Sequence, residues 1–481
     1  MGHICKAVVI GAGISGLACA FRLRQLGIEP LVLESSDRAG GIISTVRRNG
    51  FLFESGPQCP RFPASVWSLI RDLRLENDFV PGDSNAKRYV LKNGRLCRAP
   101  FSPGGLLRTG LVSFKSKYRM LSEPLRFSHA PATEETLASF VRRKFGPEVL
   151  DYIVDPIVSA VFLGDADTMG MDSAFPALAQ WERDSGSLVR GAIRARNSSR
   201  RKFSSAGGPS TPVAHNSLPR GLHITKALPS LGSFQLGLGT LTSKLAECLG
   251  ENIRYRARVE SVSQIPTGEA DVRPGWSIHI SGSEKILASS LVVAAPAYAA
   301  ARILELSASG LSSLLSEIEY AAVAVVSSGY DRAKVAHPLD GFGFMVPRAE
   351  RLHTICTFWN SSLFNGRAPT NNVLITSFAR GDLNGSLAET PEREIARTVE
   401  SENARILGIT GEPMDRAVWK YTHALPQYNV GHARRIVEIR DAMRSLTNFR
   451  LAGNFLIGRS IGECVESGLR AADELHSGFC G

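Results

Sequence analysis

The sequence predicts an α/β fold: a parallel sheet built from both ends of the chain, with a mixed sheet and a helical segment inserted between them. Three observations predict it. The chain opens on a short apolar run, Ala7-Val8-Val9-Ile10, that leads through Gly11-Ala12-Gly13-Ile14-Ser15-Gly16 into an amphipathic stretch over 17–26. A second apolar run, Leu31-Val32-Leu33, ends in Glu34. Near the other terminus, Phe449-Arg450-Leu451-Ala452-Gly453-Asn454 reads as a strand with a glycine turn, followed by Ile461-Gly462-Glu463-Cys464-Val465-Glu466-Ser467-Gly468 and a helix over 469–475.

Strand, G-x-G-x-x-G and helix, in that order, form the fingerprint of a Rossmann-type dinucleotide site. Gly11 allows the tight turn, Gly13 lets the backbone approach a pyrophosphate, and Gly16 lets helix and strand pack closely. The helix start at Ala12, Ile14 and Ser15 then offers free N–H groups to the pyrophosphate. Glu34 stands about twenty residues past the glycines, where a carboxylate accepts ribose hydroxyls. A plain β-turn-α corner would need the glycines but not that acid.

The residues after Glu34 distinguish between dinucleotides. Ser35-Ser36-Asp37-Arg38-Ala39-Gly40-Gly41 and Ile42-Ile43-Ser44-Thr45 resemble the extended motif of glutathione-reductase-like FAD proteins. Gly50-Phe51-Leu52-Phe53-Glu54-Ser55-Gly56-Pro57, continuing into Gln58 and Cys59, is similar to the loop that crosses the flavin in their amine-oxidase branch. The resemblance implies FAD, with Ser35, Arg38, Gly41, Ile42, Gly56, Pro57, Gln58 and Cys59 among its contacts. The C-terminal turn supplies a second cradle, Gly453, Asn454, Ser460 and Ile461, aimed at the flavin pyrimidine by helix-dipole logic. Val259, in a strand expected over 253–262, would lie near the adenine.

Bulk composition bounds the remainder. At 481 residues the chain is too long for one core and calls for two or three domains. Apolar content of 43% and charged content of 21% are those of a globular protein. No run reaches the roughly 18 apolar residues of a spanning helix. No secretory signal precedes the first strand, which points to a cytoplasmic protein. Eight cysteines without C-x-x-C or Cys/His clustering read as reduced thiols, with no metal site. Cys464 lies in the flavin-facing motif; packing in a tight turn explains it more simply than redox chemistry. The net charge of +11 suits acidic partners. No basic stripe interleaved with aromatics supports nucleic acid, so an anionic substrate or membrane surface fits better.

Along the chain, 61–80 reads as an amphipathic helix, with Val66, Leu69, Ile70 and Leu73 on one face. Arg88 to Leu91 and Arg95 to Cys97, joined through Asn93-Gly94, form a hairpin. From 100 to 130, basic residues alternate with Leu106, Leu107, Leu111, Val112, Phe114 and Leu121. That texture suits either a helix lying on a membrane or a helical subdomain packed inward. Helices are expected over 133–161. The basic, Ser/Gly/Pro-rich stretch 196–222 reads as a flexible loop. The run 290–296 is a buried strand ending in Pro296. Beyond it, strands over 321–327, 374–378 and 415–421 alternate with helices over 311–319 and 391–408, as befits a mixed sheet walling a cavity. The domains expected are therefore FAD-binding (1–85, 230–296 and 426–481), substrate-binding (86–99 and 297–425) and helical (100–229).

Several stretches of the middle add a family resemblance. Phe53-Glu54 with Gly56-Pro57, Ser159-Ala160-Val161-Phe162-Leu163-Gly164-Asp165, Gly186-Ser187-Leu188-Val189-Arg190-Gly191, Gly341-Phe342-Gly343, Ser361-Ser362-Leu363-Phe364 and Leu425-Pro426-Gln427-Tyr428-Asn429-Val430-Gly431-His432 resemble the protoporphyrinogen oxidase family over nearly the whole chain. Pro-Gln-Tyr-x-x-Gly-His is the most specific, because generic amine oxidases lack it. The departures are Ala160 for a family glycine, Leu163 for a family alanine, and Gln58-Cys59-Pro60 after Gly-Pro.

The resemblance implies oxidation of a porphyrinogen by FAD, with dioxygen as electron acceptor, and no catalytic side chain beyond the flavin N5. It implies Arg88 as the cation for the propionates, Phe364 as the aromatic residue packed on the macrocycle, and Met345 as a cavity residue. A homodimer and peripheral contact with an anionic membrane are compatible with it. Coproporphyrinogen III oxidation on the same fold is the nearer alternative. Amine or carotenoid oxidation is farther, and a flavin-binding protein without catalysis farther still.

Overall fold

In the computed structural model, the described residues are 5–100, 103–126, 131, 133–205, 231–265, 275–381 and 386–480. Five parallel strands form one sheet, in the order Phe449–Leu451, Leu291–Val293, Ala7–Ile10, Pro30–Leu33 and Ile253–Arg254. Its central strand, Ala7–Ile10, is buried throughout, as the unbroken apolar run requires of a strand covered on both faces. The helix Ile14–Gln25 packs on it, and the C-terminal helix Ile461–Cys480 packs on that helix in turn. The two ends of the chain therefore meet in one layer.

The second large sheet has seven strands, in the order Asp415–Pro426, Tyr320–Asp331, Asn372–Arg380, Thr354–Trp359, Gly343–Met345, Arg88–Lys92 and Arg95–Arg98. All its pairs are antiparallel except Gly343–Met345 with Arg88–Lys92, which makes it mixed, as expected. Gly343 is essential to that junction. It sits at φ +138°, and a Cβ there would stand 1.9 Å from the Thr357 carbonyl oxygen. Among the described residues between 103 and 205 the regular elements are helices, with a core of Leu137, Phe140, Val141, Val149 and Val158.

Several elements differ from expectation, each for a local reason. The helix expected over 61–80 spans only Ala64–Asp72: Pro63 starts it and Arg74, left-handed at φ +57°, ends it. The strand expected over 253–262 is broken at Arg256 (φ +55°). Its first half joins the parallel sheet, while Val259–Ile265 opens a separate antiparallel sheet. The C-terminal helix begins at Ile461, eight residues before the expected start, so Cys464 occupies its first turn and not a tight turn.

The stretch 196–222 is not a loop at its start. The helix Leu188–Ser205 runs into it, and the remainder lies outside the described residues. Composition hid this helix because its stability comes from tertiary contacts. The buried Glu123 carboxylate accepts from the Leu188 backbone N–H (2.8 Å) and the Ser187 hydroxyl (2.8 Å), satisfying the helix start. Gly191 lies directly against Trp181, where a side chain would clash.

The described part of the 100–130 region is packed inward in part and apolar at its surface in part. Leu111 and Val112 are buried, while Phe114 and Leu125 are 86% and 83% exposed, with Tyr118 and Leu121 exposed between them. Val189 and Ile193, on the neighbouring helix, are exposed as well. Among the described residues no helix is long and apolar enough to cross a membrane.

Candidate active site

A cleft of about 1140 Å³ runs along the C-terminal ends of the parallel strands. That is where ligands bind in open α/β sheets. Of the residues expected there, Gly11, Gly13, Ile14, Ser15, Glu34, Ser35, Gly41, Ile42, Pro57, Val259, Gly453, Asn454 and Ile461 line it. The space over Gly13 is open, with no atom within 4 Å of where a Cβ would be. Gly16 serves packing: a Cβ there would lie 1.9 Å from the Gly11 carbonyl oxygen.

Glu34 clasps both banks of the cleft. Its carboxylate accepts from the Ala12 N–H (2.7 Å) on one side and from the Ser36 N–H and hydroxyl (both 2.8 Å) on the other. Arg38 is exposed and donates to the Gly41 carbonyl (2.7 Å), so it shapes the glycine loop and does not line the cleft. Ser460 also does other work. With Glu463 it forms a capping box, its hydroxyl donating to the Glu463 carboxylate (2.6 Å) and accepting from the Glu463 N–H (3.2 Å).

The loop 53–59 is fixed from beneath. Gly56 packs against the Ile42 carbonyl. Gln58 turns inward, donating to the carbonyls of Glu54 (3.1 Å) and Gly56 (2.8 Å) and accepting from Asn360 (2.7 Å). The buried Glu54 carboxylate accepts from Thr45 (2.6 Å) and the Leu238 N–H (2.8 Å); burial still holds its carboxyl above the usual range. Only Pro57 of this loop reaches the cleft. Burial pushes the Cys59 thiol up to about 12, so it stays protonated, as does Cys464, also pushed to about 12.

The reading from sequence missed one wall. Residues 420–425, at the end of the strand Asp415–Pro426, line the cleft together with Ala294 to Pro296, Tyr298, Arg302, Tyr320 and Arg459. The rings of Tyr298 and His423 lie 4.7 Å apart, and those of Tyr298 and Tyr320 5.2 Å apart. Distance along the chain conceals this wall.

Tyr421 and Ala424, which line the cleft, also pack against a separate apolar cluster centred on Val323, Ile355 and Cys356. Met345, Phe358 and Phe378 gather there on one face of the mixed sheet, opposite Ala160 and Leu163 of the helical segment. From this face a row of rings leads outward: Phe378 to Phe358 (5.7 Å), Phe358 to Phe342 (5.6 Å), and then the Arg88 guanidinium over Phe342 (4.5 Å). Half-burial and the nearby Arg61 lower the Arg88 pKa. Arg88 and Met345 are thus brought to one sheet face. Phe364 is 3% exposed and sits in the wall, against Gly82 and Leu231 and under the buried Arg367 guanidinium.

An elongated cleft with a glycine turn, two converging helix starts and an acid at one end fits FAD by shape and by donor chemistry. The comparisons agree. Residues 14–476 match the family described as flavin containing amine oxidoreductase. The chain is 32% identical to protoporphyrinogen oxidase, mitochondrial, of Nicotiana tabacum, over 97% of this chain and 94% of that one. It is 28% identical to coproporphyrinogen III oxidase of Bacillus subtilis (strain 168), over 97% of each. In fold it is similar to a solved structure from Exiguobacterium sp. 255-15, provisionally named protoporphyrinogen oxidase (TM-score 0.78, 21% identity, 99% of this chain and 100% of that one). The chain belongs to the flavin-containing amine oxidoreductase family and is an FAD-dependent oxidoreductase.

Proposed function

We propose that the protein oxidises a porphyrinogen to its porphyrin, with protoporphyrinogen IX as the first candidate and coproporphyrinogen III as the second. The observation that carries this reading is the row of rings from the cleft to Arg88, which suits a broad apolar macrocycle bearing carboxylates at its rim. Relatives named for each substrate match nearly the whole chain.

Bound FAD supplies the acceptor for hydride, and dioxygen is the terminal oxidant we assign. The chain's own residues do the positioning. Met345, Phe358 and Phe378 press one face of the macrocycle, Ala160 and Leu163 the other, which excludes water from the reacting carbon. Arg88 pairs with a propionate through its planar fork and so fixes the in-plane orientation. Among the described residues no group of three or more His, Cys, Asp or Glu side chains is placed to hold a metal ion, and hydride loss to the flavin calls for no side-chain nucleophile. The exposed face of Phe114, Tyr118, Leu121 and Leu125, flanked by Lys115 and Arg119, rests on an anionic membrane surface from which an apolar substrate arrives.

The test is growth of porphyrin fluorescence in air with each tetrapyrrole, against putrescine as an amine control. One tetrapyrrole is turned over, and Arg88→Leu raises its KM by about 10–100-fold, as for one lost charge-assisted contact, with kcat nearly kept. Turnover of the amine and of neither tetrapyrrole overturns the reading.

A further inference from the structure

Arg459 is a cation in the flavin cleft with no assigned task. It lines the cleft together with Asn454, Ile461 and Cys464, two residues before the C-terminal helix begins. Its Nε donates to the Val161 carbonyl (2.9 Å), and its guanidinium lies over the Phe162 ring, 3.1 Å from the centroid. These contacts fix the side chain to the end of the helix Asp155–Phe162, whose Ala160 faces Met345 and Phe358. Among the described residues neither terminal nitrogen has a hydrogen-bond or ion-pair partner. The carboxylate of Glu463, which interacts with this charge, is hydrogen-bonded to Ser460 at the helix cap. The guanidinium therefore meets the cleft without an ion-pair contact, although the Glu463 charge favours its cationic form; burial lowers its pKa but leaves it charged.

We propose that Arg459 is the residue that sets the flavin's reduction potential. Reduction adds negative charge to the pyrimidine side of the ring. A fixed cation at that end, added to the positive end of the helix Ile461–Cys480, favours the reduced state. Because Phe162 and Val161 hold the guanidinium, its position in the cleft is set by the end of the helix Asp155–Phe162. The inference needs FAD in the cleft but not any one substrate.

The test is the two-electron midpoint potential of the FAD-loaded protein, measured against a reference dye, for wild type, Arg459→Leu and Arg459→Lys. FAD content and circular dichroism report folding. Arg459→Leu moves the equilibrium about tenfold toward oxidised flavin, a fall of about 30 mV for a two-electron couple. Arg459→Lys keeps most of the wild-type value. Should the leucine variant fail to fold, Arg459→Gln takes its place against lysine. An unchanged potential in the neutral variant overturns the proposal. So does an unchanged potential with a raised tetrapyrrole KM, which would give the guanidinium to substrate carboxylates instead.

Discussion

Tyr428 and His432 explain why one short segment carries so much of the family resemblance. The Tyr428 hydroxyl donates to the Asn454 carbonyl (2.6 Å), and His432 Nε2 bonds the Phe455 carbonyl (3.1 Å). The two rings stack 4.5 Å apart. Gln427 donates to the Phe162 carbonyl (3.2 Å) and Gly170 N–H to the Tyr428 carbonyl (2.9 Å), so the segment ties the cavity helix to the flavin-facing turn. Burial pushes the His432 pKa down to about 4, from an ordinary value near 6.5. The folded protein therefore keeps this imidazole neutral where the unfolded chain would protonate it. Its contribution is full above about pH 6.5 and is lost as pH falls toward 4, a loss of up to about 3 kcal/mol. Thermal melts of wild type should steepen in that window. His432→Gln, which keeps an N–H donor but cannot titrate, should flatten the curve; an equally steep curve would place the acid sensitivity elsewhere.

At the scale of elements, what the sequence made legible was periodic or local. The strand 7–10, the helix after it and the hairpin at Arg88 have sharp signals, and the structure has them. Elements fixed by long-range partners were not legible. The helix Leu188–Ser205 has the composition of a loop, and it stands on Glu123, which also lies by Lys144 (3.7 Å) in a buried ion network with Glu182. The C-terminal helix starts early because Ser460 and Glu463 close a capping box, a pattern present in the sequence but read as cofactor contact. The exposed apolar face of the helix Phe114–Leu121 belongs to this scale too. Vesicles of phosphatidylserine and phosphatidylcholine should sediment the wild type at low salt. The double change Phe114→Asp, Leu125→Asp should reduce the bound fraction at least tenfold, since each removes an anchoring side chain of order 1.5–3 kcal/mol. Equal sedimentation would remove the membrane from the account.

For the whole molecule, two surfaces with different origins meet at Tyr421 and Ala424. The cleft is written in motifs at the two termini, so nearly all of its glycine side was legible. The apolar sheet face is written in single residues of successive strands, Met345, Phe358 and Phe378. Only the pairing of those strands reveals that they share a face. Phe364, the residue resemblance suggested, follows the same strand but turns into the wall. The junction is what makes the molecule a porphyrinogen oxidase in our reading: a hydride acceptor at the end of one surface opposite a macrocycle held by the other.

Anaerobic titration of the FAD-loaded protein with protoporphyrinogen IX, and separately with coproporphyrinogen III, tests that claim most directly. The account predicts that one of them bleaches the flavin, with one porphyrin formed per three flavins reduced, since the oxidation removes six electrons and each flavin accepts two. Flavin that stays oxidised with both tetrapyrroles, in protein that dithionite still reduces, would contradict it.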